Sequence, residues 1–104
     1  MRERRTKYGS HPTFWCGRWY PSLWQRECAQ MFALCIKAGR LSWLCEEVKF
    51  TLMPGITLRV DFLGGDNQGR VAAWDAKGIE TRDFRTKARV WKAVMPFPLH
   101  ILKR

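Results

Sequence analysis

Histidine is nearly absent from this sequence and acidic residues are scarce: 2 His and 9 Asp plus Glu stand against 19 Lys plus Arg in 104 residues. His11 and His100 lie near opposite ends of the chain, and Cys16, Cys28, Cys35 and Cys45 form no C-x-x-C pair, which excludes a zinc site built from locally spaced ligands. No apolar run approaches the ~20 residues needed to span a bilayer. The charged N-terminus is not followed by an apolar segment with a small-residue cleavage site, so neither a membrane span nor a secretory signal is expected. Repeats, low-complexity tracts and linkers are missing too, which leaves one domain. The shortage of acids gives a net charge of +10. A cytoplasmic polyanion, nucleic acid above all, is the expected partner.

What is present is a folding composition, 46% hydrophobic with 6 Trp and 6 Phe. Residues 1–12 read as a basic arm, flexible until it meets a partner, and residues 13–104 as the ordered body. Residues 13–16 and 18–20 flank Gly17 as a short aromatic hairpin or extended arm. Ser22 then caps a helix over residues 23–38, with Trp24, Cys28, Met31 and Cys35 as its buried stripe and Gly39 as its stop. On that stripe Cys28 and Cys35 are small core hydrophobes rather than reactive thiols.

Residues 48–53 predict a first strand, Pro54-Gly55 a turn, and residues 56–63 a second strand. In the second strand Ile56, Leu58, Val60 and Phe62 alternate with Thr57, Arg59 and Asp61 on the other face. Residues 64–69 read as a loop and 70–77 as a third strand, paired with the second as a hairpin. A second helix, capped by Thr81 or Asp83, runs to about residue 95 with Phe84, Ala88, Trp91 and Met95 inward, and residues 97–102 add a last strand. Helix, three strands, helix, strand (αβββαβ) is an α/β order with a mixed sheet.

Asp75 and Lys77, two apart at the end of the third strand, share a face about 7 Å apart. Asp61, on the neighbouring strand, interrupts a run that otherwise reads as core. Two such carboxylates and a backbone carbonyl, that of Ala76, suit Mg²⁺ or Mn²⁺ with several waters, and Lys77 would orient a water or neutralise developing charge. On spacing alone the plainer reading is favoured, in which both acids lie on the surface near a turn and the lysine is solvated. A hairpin folded tightly about Asp66 and Asn67 would also set Asp61 opposite Ala72 and leave Asp75 about 10 Å further along. A bulge, a wider loop or splaying is required to bring the acids together.

The stretch from Asp75 to Lys87 shifts that balance. It matches D-x-K-G-x-x-T-x-x-F-x-x-K at Asp75, Lys77, Gly78, Thr81, Phe84 and Lys87, and so resembles a family of small phage-associated proteins with the restriction-endonuclease-like, PD-(D/E)XK fold. Val60-Asp61-Phe62 looks like that family's second strand, and residues 37–41 look like its first helix end. The layout is similar to that of phage junction-resolving endonucleases. The resemblance implies a metal-dependent deoxyribonuclease with Asp61, Asp75 and Lys77 at its centre, acting in the host cytoplasm on branched DNA, and dimeric if it cuts junctions. RNA is the alternative substrate.

One position departs from the pattern. Where the family carries a helix acid, this chain has Gln25, whose amide oxygen ligates metal or orients water but adds no charge and serves as no base. Glu27 is the alternative, if the helix is shifted. Trp24, Cys28, Met31 and Cys35 are expected to lie between the two, which places Gln25 and Glu27 on opposite flanks. Glu46 and Glu47 are further acids at the first strand, with an ordinary solvated role favoured for both.

On the second helix Arg85, Arg89 and Lys92 share a flank suited to tracking phosphates, with Arg4, Arg5 and Lys7 of the arm as further contacts. The resemblance points Lys87 toward the catalytic groove and has Thr81 cap the helix or hydrogen-bond a phosphate. Phe14, Trp15, Trp19 and Tyr20 either stack on unpaired bases or close the core, with closure favoured for most of them. Two other classes compete with the enzyme: a nucleic-acid-binding module whose chemistry has decayed, and a basic protein that blocks a host partner.

Overall fold

A computed structural model describes residues 11–104, so the expected phosphate contacts of Arg4, Arg5 and Lys7 lie outside the described residues. The elements follow from local signals. Strands β1 (Thr13–Trp15) and β2 (Arg18–Tyr20) form a hairpin across Cys16-Gly17. Both turn residues take positive φ (53° and 81°), the two-residue geometry that matches strand twist. Helix α1 (Leu23–Lys37) begins at Ser22, whose Oγ accepts the Gln25 N–H at 3.1 Å, and ends where Gly39 turns left-handed at φ 78°.

The remaining elements are β3 (Trp43–Met53), β4 (Ile56–Gly65), β5 (Val71–Lys77), α2 (Arg82–Val94) and β6 (Leu99–Lys103). Thr81 is the N-cap of α2, its Oγ1 accepting the Phe84 N–H at 3.2 Å. The sheet order is β3-β4-β5-β6, antiparallel except for β5 and β6, which run parallel around the α2 crossover. The chain is thus α/β with a mixed four-stranded sheet and two helices. No helix of the described residues is long and apolar enough to cross a membrane.

Strand bounds depart from the sequence reading in one informative way: β3 begins at Trp43 rather than residue 48, and β4 includes Gly64 and Gly65, which read as loop. Gly65 pairs with Trp43, and a Cβ there would lie 2.5 Å from the Trp43 indole nitrogen. A Cβ on Gly64 would lie 3.3 Å from the Trp74 ring. The two glycines let the backbone of a regular strand pass against indoles, so here they mark close approach rather than a turn.

The sheet carries a hydrophobic cluster on each face. Phe84 and Trp91 of α2 pack with Leu52, Leu58, Val60 and Ala73 on one side. On the other, Cys28, Ala29 and Phe32 of α1 pack with Tyr20 and Phe62. Phe62 therefore does not share a face with Leu58 and Val60, contrary to simple alternation. The phase slips between Val60 and Phe62, where the β3–β4 ladder passes from Val48↔Val60 to Glu46↔Phe62 and Glu47 takes φ 54°. Asp61 sits at that slip.

The first helix is also rotated relative to the expected stripe. Its buried residues are Gln25, Cys28, Ala29 and Phe32, while Met31 is 46% exposed and Cys35 only half-buried. Gln25 consequently belongs to the stripe and not to a flank, leaving Glu27 half-buried beside it. The α2 expectation needs no such correction: Phe84 and Trp91 are buried, with Ala88 and Met95 packed against them.

Candidate active site at a strand fork

The site begins with Asp66. Its Oδ1 accepts the backbone N–H groups of Gln68 (2.9 Å) and Arg70 (3.0 Å), and its Oδ2 accepts Arg70 Nε at 2.7 Å. Those contacts from Arg70 hold the Asp66 carboxyl below the usual range. They also fix a loop wider than a two-residue turn, so that Gly65 pairs with Val71 and Phe62 with Trp74. Continuing that register by one position brings Asp61 opposite Asp75. The 10 Å offset of a tight hairpin is absent because Asp66 builds the loop.

Beyond Phe62 and Trp74 the two strands part: β4 continues with β3, and β5 continues with β6 through Lys77↔Lys103. Asp61 and Asp75 lie in the fork. Backbone amides that would otherwise seek ladder partners there bond to these acids reciprocally. Asp61 N–H donates to Asp75 Oδ1 at 3.1 Å, and Ala76 N–H donates to Asp61 Oδ2 at 2.8 Å. Asp75 is 1% exposed. Burial, then the facing Asp75 carboxyl, pushes Asp61 from 3.8 up to about 8, against the opposing pull of the Ala76 N–H and Lys77.

Lys77 Nζ sits 3.1 Å from Asp75 Oδ2 and 4.2 Å above the centre of the Phe84 ring. The ring is in place because Thr81 caps α2 at the Phe84 N–H, so within this chain the Thr81 hydroxyl serves the helix start. Alongside, Lys103 pairs with Glu80 at 3.0 Å. Two lysines thus stand at the C-terminal ends of parallel strands, next to the N-terminus of the crossover helix, a place where open α/β sheets receive anionic ligands. Lys103 and Glu80 escaped the sequence reading because only the parallel register brings them to Lys77. Phe84 belongs to the core, as its place on the apolar side of α2 predicts, and it also supports the lysine.

The other candidates are scattered. Lys87 does not join the fork; it pairs with Asp83 one turn earlier at 3.3 Å. Glu46 accepts the Tyr20 hydroxyl at 2.9 Å and Glu47 accepts Arg18 Nη2 at 3.1 Å, so both acids are bound to the β1–β2 hairpin. That hydrogen bond, after burial, pushes Tyr20 up to about 12. Arg85, Arg89 and Lys92 are exposed and form no ion pair among the described residues. The aromatic segment divides: Tyr20 is buried and Trp15 packs against its cluster, whereas Phe14 and Trp19 face outward.

Gln25 lies one turn before Cys28 on the buried stripe of α1. The Cys28 thiol is pushed up to about 11 by burial and then by the carboxylates of Asp61 and Glu27. Neither Asp61 nor Asp75 receives a hydrogen bond from Gln25 among the described residues. Nor do three or more His, Cys, Asp or Glu side chains gather at one point among them. The donor set at the fork is therefore two carboxylates. Two carboxylates suit Mg²⁺, which keeps most of its waters, and a dication would offset both the burial and the facing charge that raise Asp61. They do not suit zinc, which favours Cys and His. A cavity of about 630 Å³ lies at the other end of the sheet, lined by Leu41, Trp74 and Pro96 among others, away from the acids.

Compared with protein-family models, with curated proteins and with solved structures, the chain has no match.

Proposed function

We propose that the chain is a restriction-endonuclease-like, PD-(D/E)XK nuclease that hydrolyses DNA phosphodiester bonds with Mg²⁺ or Mn²⁺. The observation that carries this reading is the fork itself: two facing carboxylates, one ionising only near pH 8, with a lysine ammonium on the second. The two acids close the fork by accepting one backbone N–H each across β4 and β5, yet a neutral acceptor would do that without burying two carboxylates beside a single ammonium. An ion bound between them turns the repulsion into ligand charge. Asp61, Asp75 and the Ala76 carbonyl would hold that ion, which supplies Lewis-acid polarisation of a phosphate and a more acidic water.

The chain's own groups have separable tasks. Asp61 must give up its proton before it ligates, so loading is favoured as pH rises toward 8. Lys77 offers three donors at fixed height above Phe84, within reach of an oxygen beside Asp75, and neutralises charge that grows on a phosphate in the transition state. Lys103, at the adjacent strand end, adds positive potential. Along α2, Arg82, Arg85, Arg89 and Lys92 recur at helical spacing over about 15 Å and match the phosphates of a backbone without choosing sequence.

A second reading has one specific observation behind it. With Gln25 on the helix and no third acid at the fork among the described residues, the chain is also consistent with a DNA-binding module without cleavage. The test is incubation with linear, nicked, flapped and four-way DNA in Mg²⁺, in Mn²⁺ and in EDTA. Metal-dependent cutting that Asp75→Asn abolishes while salt-sensitive binding survives supports the enzyme. No cutting of any substrate leaves the binding module, and cutting that survives Asp61→Asn removes the site.

A further inference from the structure

We infer that the β1–β2 hairpin is a platform on which an unpaired nucleic-acid base stacks, with Phe14 and Trp19 as its surface. The two residues are cross-strand partners, and their ring centres lie 5.3 Å apart at 57°. Neighbours on either side of them point the other way: Thr13 accepts Arg26 Nη1 at 3.2 Å, Trp15 packs toward Tyr20, and Arg18 binds Glu47. Phe14 and Trp19 are left 54% and 60% exposed. Cross-strand contact accounts for the edge each ring presents to the other, and not for the faces left in water.

The platform is held rigidly. Its two-residue turn matches strand twist, and it is tied to two neighbouring residues of β3 by the Tyr20–Glu46 and Arg18–Glu47 bonds and to α1 by the Arg26–Thr13 bond. Rigidity lowers the entropy cost of stacking. Two rings alone offer too little apolar surface for a stable protein interface. The occupant must also match a chain of net charge +10, with Arg2, Arg4, Arg5 and Lys7 shortly before Phe14 in sequence. An unpaired nucleotide is both anionic and flat-faced. Paired bases present no free face except at an end, so the platform selects single-stranded or frayed segments.

This inference rests on the nucleic-acid part of the proposed function and not on hydrolysis. The test uses the full chain in EDTA and measures anisotropy with labelled dT12 and with a blunt 12-base-pair duplex. Trp19→Ala and Phe14→Ala should each weaken dT12 binding about five- to hundredfold, the range for loss of one stacking partner. Duplex affinity should stay within twofold, and Trp19→Phe should bind dT12 nearly as the parent does. Arg89→Ala should weaken both ligands. Thermal melts check that each variant is folded; both side chains are exposed, so Phe14→Ala decides should Trp19→Ala fail to fold. Unchanged dT12 affinity in both alanine variants overturns the inference, as does an equal loss on the duplex. So does a Trp19→Ala variant that merely dissociates a dimer seen in sedimentation. A protein that cuts DNA but is indifferent to Trp19 refutes only this inference, and one that stacks but never cuts refutes only the nuclease.

Discussion

Asp61→Asn removes one of two facing charges and keeps an oxygen to accept the Ala76 N–H, so it isolates the electrostatic cost of the fork. The Asp61 carboxyl goes from 3.8 to about 8 on folding. A raised folded-state pKa means the folded chain holds a proton between about pH 4 and 8 that the unfolded chain has released. Its contribution to stability is thus complete below pH 3.8, declines as pH rises, and is lost above about pH 8. At roughly 1.4 kcal/mol per unit the loss reaches at most about 4 kcal/mol at pH 7. The Asp61→Asn variant should recover about 2 to 4 kcal/mol at pH 8 in EDTA and almost nothing at pH 4. Urea unfolding followed by far-UV circular dichroism across that range reads both. Mg²⁺ should shrink that difference, since a hundredfold excess over Kd adds about 2.7 kcal/mol to the parent and little to the variant. A variant less stable than the parent at pH 8 in EDTA, or one with the same pH dependence, refutes the reasoning.

Maleimide at pH 7.5 should label exposed Cys16 and Cys45 quickly and Cys28 only on unfolding, because burial and Asp61 keep that thiol protonated; peptide mass mapping distinguishes them. Arg85→Ala and Arg89→Ala should each lower the slope of log affinity against log salt by about 0.9 for a duplex, with no change of sequence preference. Gly65→Ala should displace the Trp43 indole, seen in near-UV dichroism, at a cost of about 1 to 2 kcal/mol, and the cost should vanish in Trp43→Ala.

Elements were legible where a local chemical signal decides them. Ser22 and Thr81 cap, Gly39 stops, Pro54-Gly55 turns, and Phe84 to Met95 repeats with helical period, so both helices and the order of elements along the chain could be read. What could not be read depends on distant partners. Gly64 and Gly65 carry loop chemistry, and only the indoles of Trp43 and Trp74 make them strand. Met31 and Leu34 are as apolar as Phe32, so the rotation of α1 was ambiguous until the sheet chose Gln25, Cys28, Ala29 and Phe32. The site residues Asp61, Asp75 and Lys77 were named from sequence, but their meeting was not. It depends on Asp66 widening the loop and on a phase slip opposite Glu47, both invisible to a strict period of two. Lys87 has a partner that the sequence already placed one helical turn away, the acid Asp83.

Gln25 turns the same electrostatics into the sharpest test of purpose. It is 5% exposed on the stripe that carries Cys28, whose thiol already feels Asp61. A third carboxylate in that dry region would meet two others with one ammonium, Lys77, to offset them, so without metal the folded state would lose further stability. Glutamine fills the same volume at no charge. For the proposed cation site the consequence would be weaker binding, since hard cations depend on ligand charge count. Gln25→Glu should therefore melt lower than the parent in EDTA, regain more stability in Mg²⁺, and cut DNA faster at equal metal. Glu27→Gln, half-buried on the flank, should change none of these by more than about 0.5 kcal/mol or twofold. If Gln25→Glu loses stability equally with and without Mg²⁺, its side chain does not face the ion, and the fork must work with two acids or not at all.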